Sequence, residues 1–331
     1  MINKSISLLV FYIFIIASNN LILLPSYLIG KKDTSINYIK KILQSMVSFM
    51  LCHIFKTNIY YSNLITLSED NKIDIIISNH MATFDFIVVL SILNQMGIHH
   101  YNMVTRRGMV YYPFFGSIID AGRDIKLNRK WMEDERPLQR SVSKLKSGVI
   151  VMFPEGTRFT LEKQIKADQF CTERGIPLYQ NTLCPRTKGM WKIISELRKQ
   201  NKLGKLYDLS LTCPKFKKQP IYIDKIMKYG MGDIFVMINQ IQLPSDEIIF
   251  NMDKFKYWFY YVWHEKDKRM NYYNQLIYQK VERTDFEYIT ELVCIILVSI
   301  KLTSKYKGKD LAFFLVVSYL IIMIRKFFYT V

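Results

Sequence analysis

Ile73–Asp85 reads IDIIISNHMATFD. Its first six residues, Ile73–Ser78, are a β-branched run closed by polar Ser78 and Asn79, the pattern of a strand buried on both faces. His80 follows at once, and Asp85 stands five residues beyond it. On an ideal helix five residues separate two side chains by about 140°, so the pair cannot share a helix face. They meet only if His80 sits in a strand-to-helix loop and Asp85 opens a helix running on through Phe86–Leu93. Asp85 would then hold one imidazole nitrogen and leave the other as a base. An N-capping aspartate beside a surface histidine is the plainer alternative.

A second buried run, Gly148–Phe153 (GVIVMF), leads into Phe153-Pro154-Glu155-Gly156-Thr157-Arg158. Pro154 and Gly156 force a tight turn, and Gly156 lets the backbone approach a ligand. Thr157 supplies a hydroxyl and an amide, and Arg158 offers a planar fork suited to phosphate. A turn bearing a solvated arginine fits the residues equally well. Ile234–Ile241 reads as a further strand and Gly189–Lys199 as a helix. Strands alternating with helical segments predict an α/β fold, a mixed sheet flanked by helices, over residues 61–285.

Composition narrows the class. Of 331 residues, 46 are Lys or Arg and 28 are Asp or Glu, a net charge of +18. An apolar share of 50% with 14% aromatics excludes disorder. Five cysteines exclude a disulfide scaffold, and they form no C-x-x-C pair, so no metal is expected. A mean hydropathy of +0.05 is too low for a polytopic transporter. The basic balance fits nucleic acid, anionic lipid or a phosphorylated substrate. Lys188 to Lys228 alone holds eleven basic residues against three acids. It reads as a surface for anionic headgroups or as a solvated face. No zinc spacing, RNP-like motif or Gly-x-x-Gly clamp supports nucleic acid.

The ends are membrane-seeking. Ile6 to Ile29 carries no formal charge and is long enough to span a hydrocarbon core of roughly 30 Å, which reads as an uncleaved anchor with a signal peptide as the competing reading. Lys31, Lys32, Lys40 and Lys41 follow this expected anchor, which places the body on the cytosolic side. Ile42–Phe55 reads as an amphipathic helix on the bilayer or as an ordinary core helix. Both lie in an N-terminal membrane segment, residues 1–60. Tyr288–Ile300 and Leu311–Ile324 form an expected C-terminal hydrophobic hairpin, residues 286–331. The lysines between them at 301, 305, 307 and 309 favour a shallow insertion.

Asn79-His80-x4-Asp85 and Phe153–Arg158, in this order after an apolar N-terminal stretch, resemble the first and third blocks of the glycerolipid acyltransferase family. Gly122–Arg129 (GRDIKLNR) is similar to the second block, and Leu183–Gly189 (LCPRTKG) to the fourth. The pattern looks most like the eukaryotic lysophosphatidic acid and lysocardiolipin acyltransferases. The resemblance implies that His80, assisted by Asp85, is the general base for acyl-CoA-dependent acylation of a lysophospholipid hydroxyl. It implies that Arg129, Glu155, Gly156, Thr157 and Arg158 hold the substrate phosphate, and that Pro185 lines an acyl or acceptor channel. The substrate it implies is lysophosphatidic acid, with lysocardiolipin or lysophosphatidylglycerol as alternatives. No cofactor is implied beyond acyl-CoA as co-substrate. The expected setting is the endoplasmic reticulum membrane or a mitochondrial membrane, with anionic lipids as partners. A non-catalytic lipid-binding protein on the same fold is the competing class. Lys126 departs from the second block, where an apolar strand residue is usual, and Cys184 stands where relatives often carry histidine.

Overall fold

The computed structural model describes residues 32–49, 51–52, 55–69, 71–82, 84–111, 115–216, 226 and 228–281. Ile6–Ile29 and both tail runs lie outside them, so the expected anchor and hairpin do too. Among the described residues no helix is long and apolar enough to cross a membrane.

In chain order the elements are α1 (Lys32–Phe49), β1 (Asn58–Tyr61), β2 (Ile73–Ser78), α2 (Asp85–Gln95), β3 (Tyr101–Arg106), α3 (Phe115–Ala121), β4 (Ile125–Leu127), α4 (Trp131–Ser143), β5 (Gly148–Met152), α5 (Leu161–Glu173), α6 (Thr187–Lys199), β6 (Leu203–Thr212), β7 (Asp233–Ile241), α7 (Asp246–Ile249), α8 (Met252–Arg269) and β8 (Gln279–Lys280). The strands form one mixed sheet in the order β4-β3-β5-β2-β6-β7-β1-β8. β4, β3, β5, β2 and β6 run parallel to one another, β7 is antiparallel to β6 and parallel to β1, and β8 is antiparallel to β1.

β2 lies inside this sheet with all six residues buried. Alternation sends Ile73, Ile75 and Ile77 to one face, where they pack with residues of α4, α6 and α8. Ile76 points to the other face, toward α1 and α2. A strand covered on both sides needs a continuous apolar run, and IDIIIS supplies one. The one charged residue of the strand, Asp74, is satisfied by Ser68 and by the Lys205 amide.

The helix expected at Ile42–Phe55 begins earlier, at Lys32. Ile36, Ile39, Leu43, Met46 and Val47 recur at helical spacing, are buried, and join the core with α2. Lys40, read from sequence as part of a basic flank, is only 3% exposed. Its ammonium donates to Tyr101 O, Gly122 O and Asp124 Oδ1, locking α1 to the sheet edge. Gly122 is required there, because a Cβ would come within 2.7 Å of Lys40 Cε.

The basic run from Lys188 is not one surface. It passes from α6 into β6, where Leu206, Tyr207, Leu209 and Leu211 are core residues between β2 and β7. Several of its charges are occupied locally. Lys192 pairs with Glu135, Arg198 with Asp246, and Lys202 donates to Ser143 O and Leu145 O.

Candidate active site

β2 and β5 are parallel neighbours in a register that pairs Ile77 with Met152. Their C-terminal ends therefore open on the same sheet edge. One end carries His80 and the other Pro154–Arg158, although about 75 residues separate them in sequence. Ligand sites form at such strand ends in α/β sheets.

His80 sits in the loop between β2 and α2, and Asp85 is the first residue of α2. His80 Nδ1 lies 2.9 Å from Asp85 Oδ2. The imidazole is 22% exposed and the carboxylate fully buried. Asp85 Oδ2 also accepts from the Ala82 amide at 2.7 Å. Burial raises the Asp85 pKa, and its bond to His80 opposes that rise. The ring of Phe153 lies against His80 with centroids 4.9 Å apart. Asn79 spans β2 and β6, accepting from Leu211 N and donating to Leu211 O, which anchors the start of the loop.

Backbone bonds bind the blocks together. Phe159 N donates to His80 O at 2.8 Å, and Arg186 N donates to Pro154 O at 2.8 Å. Gly156 has φ +67°, and a Cβ there would approach Arg186 Nε to 3.0 Å. Both the left-handed backbone and the close side chain call for glycine. Pro185 is buried in the loop that leads into α6.

Glu155 departs from the picture of a phosphate ligand. It is 3% exposed, and its Oε1 accepts from the His80 amide at 3.0 Å. The Leu183 amide also favours its carboxylate. Oε2 has no hydrogen-bond partner among the described residues. Burial pushes the Glu155 carboxyl up to about 8 from an ordinary 4.5. Between those values the folded chain holds one more proton than the unfolded chain. This contribution to stability is thus complete below pH 4.5 and lost as pH rises through about 8. Stability should fall across that window by up to ~1.4 kcal/mol per pH unit. Glu155→Gln should flatten this slope in urea titrations between pH 5 and pH 8. A slope equal to wild type would remove Glu155 as its source.

Arg129 follows β4 in a left-handed conformation with φ +69°, uncommon for a non-glycine residue. Buried Asp134 explains it. Its two oxygens accept from Asn128 N at 2.7 Å and Lys130 N at 3.1 Å, pinching the chain on both sides of Arg129. Arg129 senses the positive charges of Arg186 and Arg106, and Lys163 senses those of Arg158 and Arg129. Five basic groups thus converge on one region, and burial with mutual repulsion lowers the pKa of both Arg129 and Lys163. Lys163 Nζ donates to Thr157 Oγ1 at 2.6 Å and to Arg158 O at 3.1 Å, so it also braces the third block. No carboxylate pairs with Arg129 or Arg186 among the described residues, so an anion could discharge the repulsion. Lys126, the departure in the second block, lies on edge strand β4 and bonds Asp120.

The structure brings His80, Asp85, Glu155, Gly156, Thr157 and Arg158 to one sheet edge. Sequence reading missed Arg106, Asp134 and Lys163, and gave Arg186 no role. Arg186 lies inside a quoted block, and Lys163 follows the third block by one helical turn, so both carried a local signal. Among the described residues no group of three His, Cys, Asp or Glu side chains is arranged to hold a metal ion.

Residues 59–213 match the family model described as Acyltransferase. The probable 1-acyl-sn-glycerol-3-phosphate acyltransferase 5 of Arabidopsis thaliana is 28% identical over 211 residues, covering 60% of this chain and 54% of that protein. Lysocardiolipin acyltransferase 1 of Mus musculus is 21% identical over 206 residues, covering 61% of this chain and 54% of its own. The 1-acyl-sn-glycerophosphate acyltransferase PlsC of Thermotoga maritima, a crystal structure, covers 82% of this chain and 98% of that chain at 13% identity and a TM-score of 0.49. The chain spans little more than half the length of these curated relatives.

Proposed function

Residues 59–213 are an acyltransferase-family domain, and from that premise we propose that the chain acylates the free sn-2 hydroxyl of lysophosphatidic acid, with acyl-CoA as donor. The observation that carries this reading is the His80–Asp85 pair beside a field of five basic groups on one sheet edge. The pair suits deprotonation of a hydroxyl, and the field suits the phosphate of the same molecule.

Asp85 accepts a hydrogen bond from Nδ1–H, which keeps that proton on the ring and leaves the Nε2 lone pair of His80 toward the acceptor. Nε2 takes the hydroxyl proton as the oxygen attacks the thioester carbonyl. The tetrahedral intermediate collapses, the carbon–sulfur bond breaks, and the CoA thiolate leaves and receives the proton from His80. A thioester is already activated, so base catalysis and orientation suffice without an acyl-enzyme. In this reading Arg129, Arg158, Arg186 and Lys163 grip the phosphate, with Gly156 and Thr157 shaping the turn beneath it. Glu155 serves from behind, holding the His80 amide rather than the phosphate. Pro185 lines the substrate channel.

The phosphate grip makes a separate prediction. Arg158→Ala should raise KM for lysophosphatidic acid about tenfold or more and leave KM for acyl-CoA within about threefold, as loss of one charge-assisted phosphate contact implies. Steady-state rates with each substrate varied in turn would measure it. Equal losses for both substrates would count against the assigned role.

A further inference from the structure

Helix α8, the last α-helix among the described residues, lies wholly beyond the residues matched by the family model. The spacing of its aromatic residues shows how it packs. Phe255, Phe259 and Trp263 recur every four residues and are fully buried, while Tyr257 and Tyr261 are exposed.

The polar residues of the same helix do something more specific. Asp267, 3% exposed, accepts from Gln180 N at 2.7 Å, from Asn181 N at 2.8 Å and from Thr182 N at 2.8 Å. Its Oδ1 also accepts from the Thr182 hydroxyl at 2.9 Å. Three successive amides turned onto one carboxylate fix the whole loop before the fourth block. Trp263 Nε1 then donates to Leu183 O at 3.0 Å. From Leu183 the loop runs to Arg186, whose amide donates to Pro154 O at 2.8 Å, the residue next to Glu155. Glu155 in turn accepts from the backbone amide of His80.

We propose that Asp267 and Trp263 are positioning residues for His80, acting through the Gln180–Arg186 loop and the Pro154–Glu155 turn. Each contact in this series is a hydrogen bond, and short runs of backbone join one contact to the next. Nothing in α8 need touch substrate. The helix sets where the loop sits, the loop supports Glu155, and Glu155 holds the backbone of the residue that removes the proton. The proposal rests on the reading of His80 as general base.

Asp74 provides a matched control. It too is a buried carboxylate collecting backbone and hydroxyl donors, from Ser68 N, Ser68 Oγ and Lys205 N, but at the opposite end of β2. The full chain is assayed in detergent as wild type, Asp267→Asn and Asp74→Asn, below the unfolding temperature of all three. Asp267→Asn should lower kcat on the order of tenfold to a hundredfold, the scale of a misplaced catalytic group, with KM for the acceptor within about threefold. Backbone hydrogen exchange over residues 79–82 should accelerate in Asp267→Asn and remain at the wild-type rate in Asp74→Asn. Trp263→Phe, which keeps the packing and removes the N–H, should show the same signs at smaller amplitude. A kcat loss no larger than in Asp74→Asn, or unchanged exchange at residues 79–82, overturns the proposal. A wild type without transfer activity would instead sink the acyltransfer reading, and the exchange measurements would still decide the coupling.

Discussion

His80→Ala should lose transfer activity by about a thousandfold, within the range contributed by a positioned general base. The imidazole is partly open to an incoming group, while its Nδ1 side is committed to Asp85. That asymmetry leaves a single nitrogen to do the chemistry. Asp85→Asn keeps the shape but can present an amide N–H to Nδ1, which selects the wrong tautomer. The expected loss is on the order of a hundredfold or more. Because both residues serve one proton transfer, the double variant should be little worse than His80→Ala alone. Acyl transfer rates of the three variants at saturating substrate would measure this. A His80→Ala enzyme with more than about a tenth of wild-type activity contradicts the base assignment.

The largest stability effect should come from Asp208, at the centre of β6. It is fully buried and bonds Lys266 Nζ, Arg269 NH2 and Ser210 Oγ. Lys266 is also fully buried, and its other hydrogen-bond acceptors are Leu209 O and Ser210 Oγ. Removing the carboxylate strands a cation in the core. Asp208→Ala should therefore cost about 3–5 kcal/mol. Two buried charges of opposite sign roughly offset their own desolvation, so removing both together is far milder. Asp208→Leu with Lys266→Met should recover most of the loss in urea unfolding. A single variant costing under about 1 kcal/mol, or a double variant as unstable as the single, would mean that this pair is effectively solvated.

These contacts also mark the boundary of what the sequence disclosed. Ile73–Ser78 was legible as a strand and is one, because a centrally buried parallel strand must be apolar on both faces. β7 and α6 were legible within two residues at each end for similar reasons. β6 was not. Its Lys205 and Asp208 made it look like part of a basic surface run, and the residues that neutralise Asp208 lie in α8, 58 and 61 positions away. His80 with Asp85, and the Pro154–Arg158 turn, were legible because short spacing carries the geometry. That the two meet follows from neighbouring parallel strands, which only the fold supplies. Glu155 illustrates the converse. A glutamate beside an arginine reads as a ligand on paper, but the turn sends its carboxylate inward to the His80 amide. The φ of Arg129 likewise depends on Asp134, five residues on, and no residue type at position 129 announces it.

The central claim is that one sheet edge joins a hydroxyl-directed base to a phosphate grip for acyl transfer. It is tested most directly by incubating the purified full chain in detergent with labelled acyl-CoA and paired acceptors. One member of each pair is a lysophospholipid with an exposed phosphate, lysophosphatidic acid first, and the other is the monoacylglycerol lacking it. The account predicts esterified product from the phosphate-bearing acceptor, with kcat/KM on the order of a hundredfold or more above its phosphate-free partner. Product from neither acceptor, or equal efficiency with both, would contradict it.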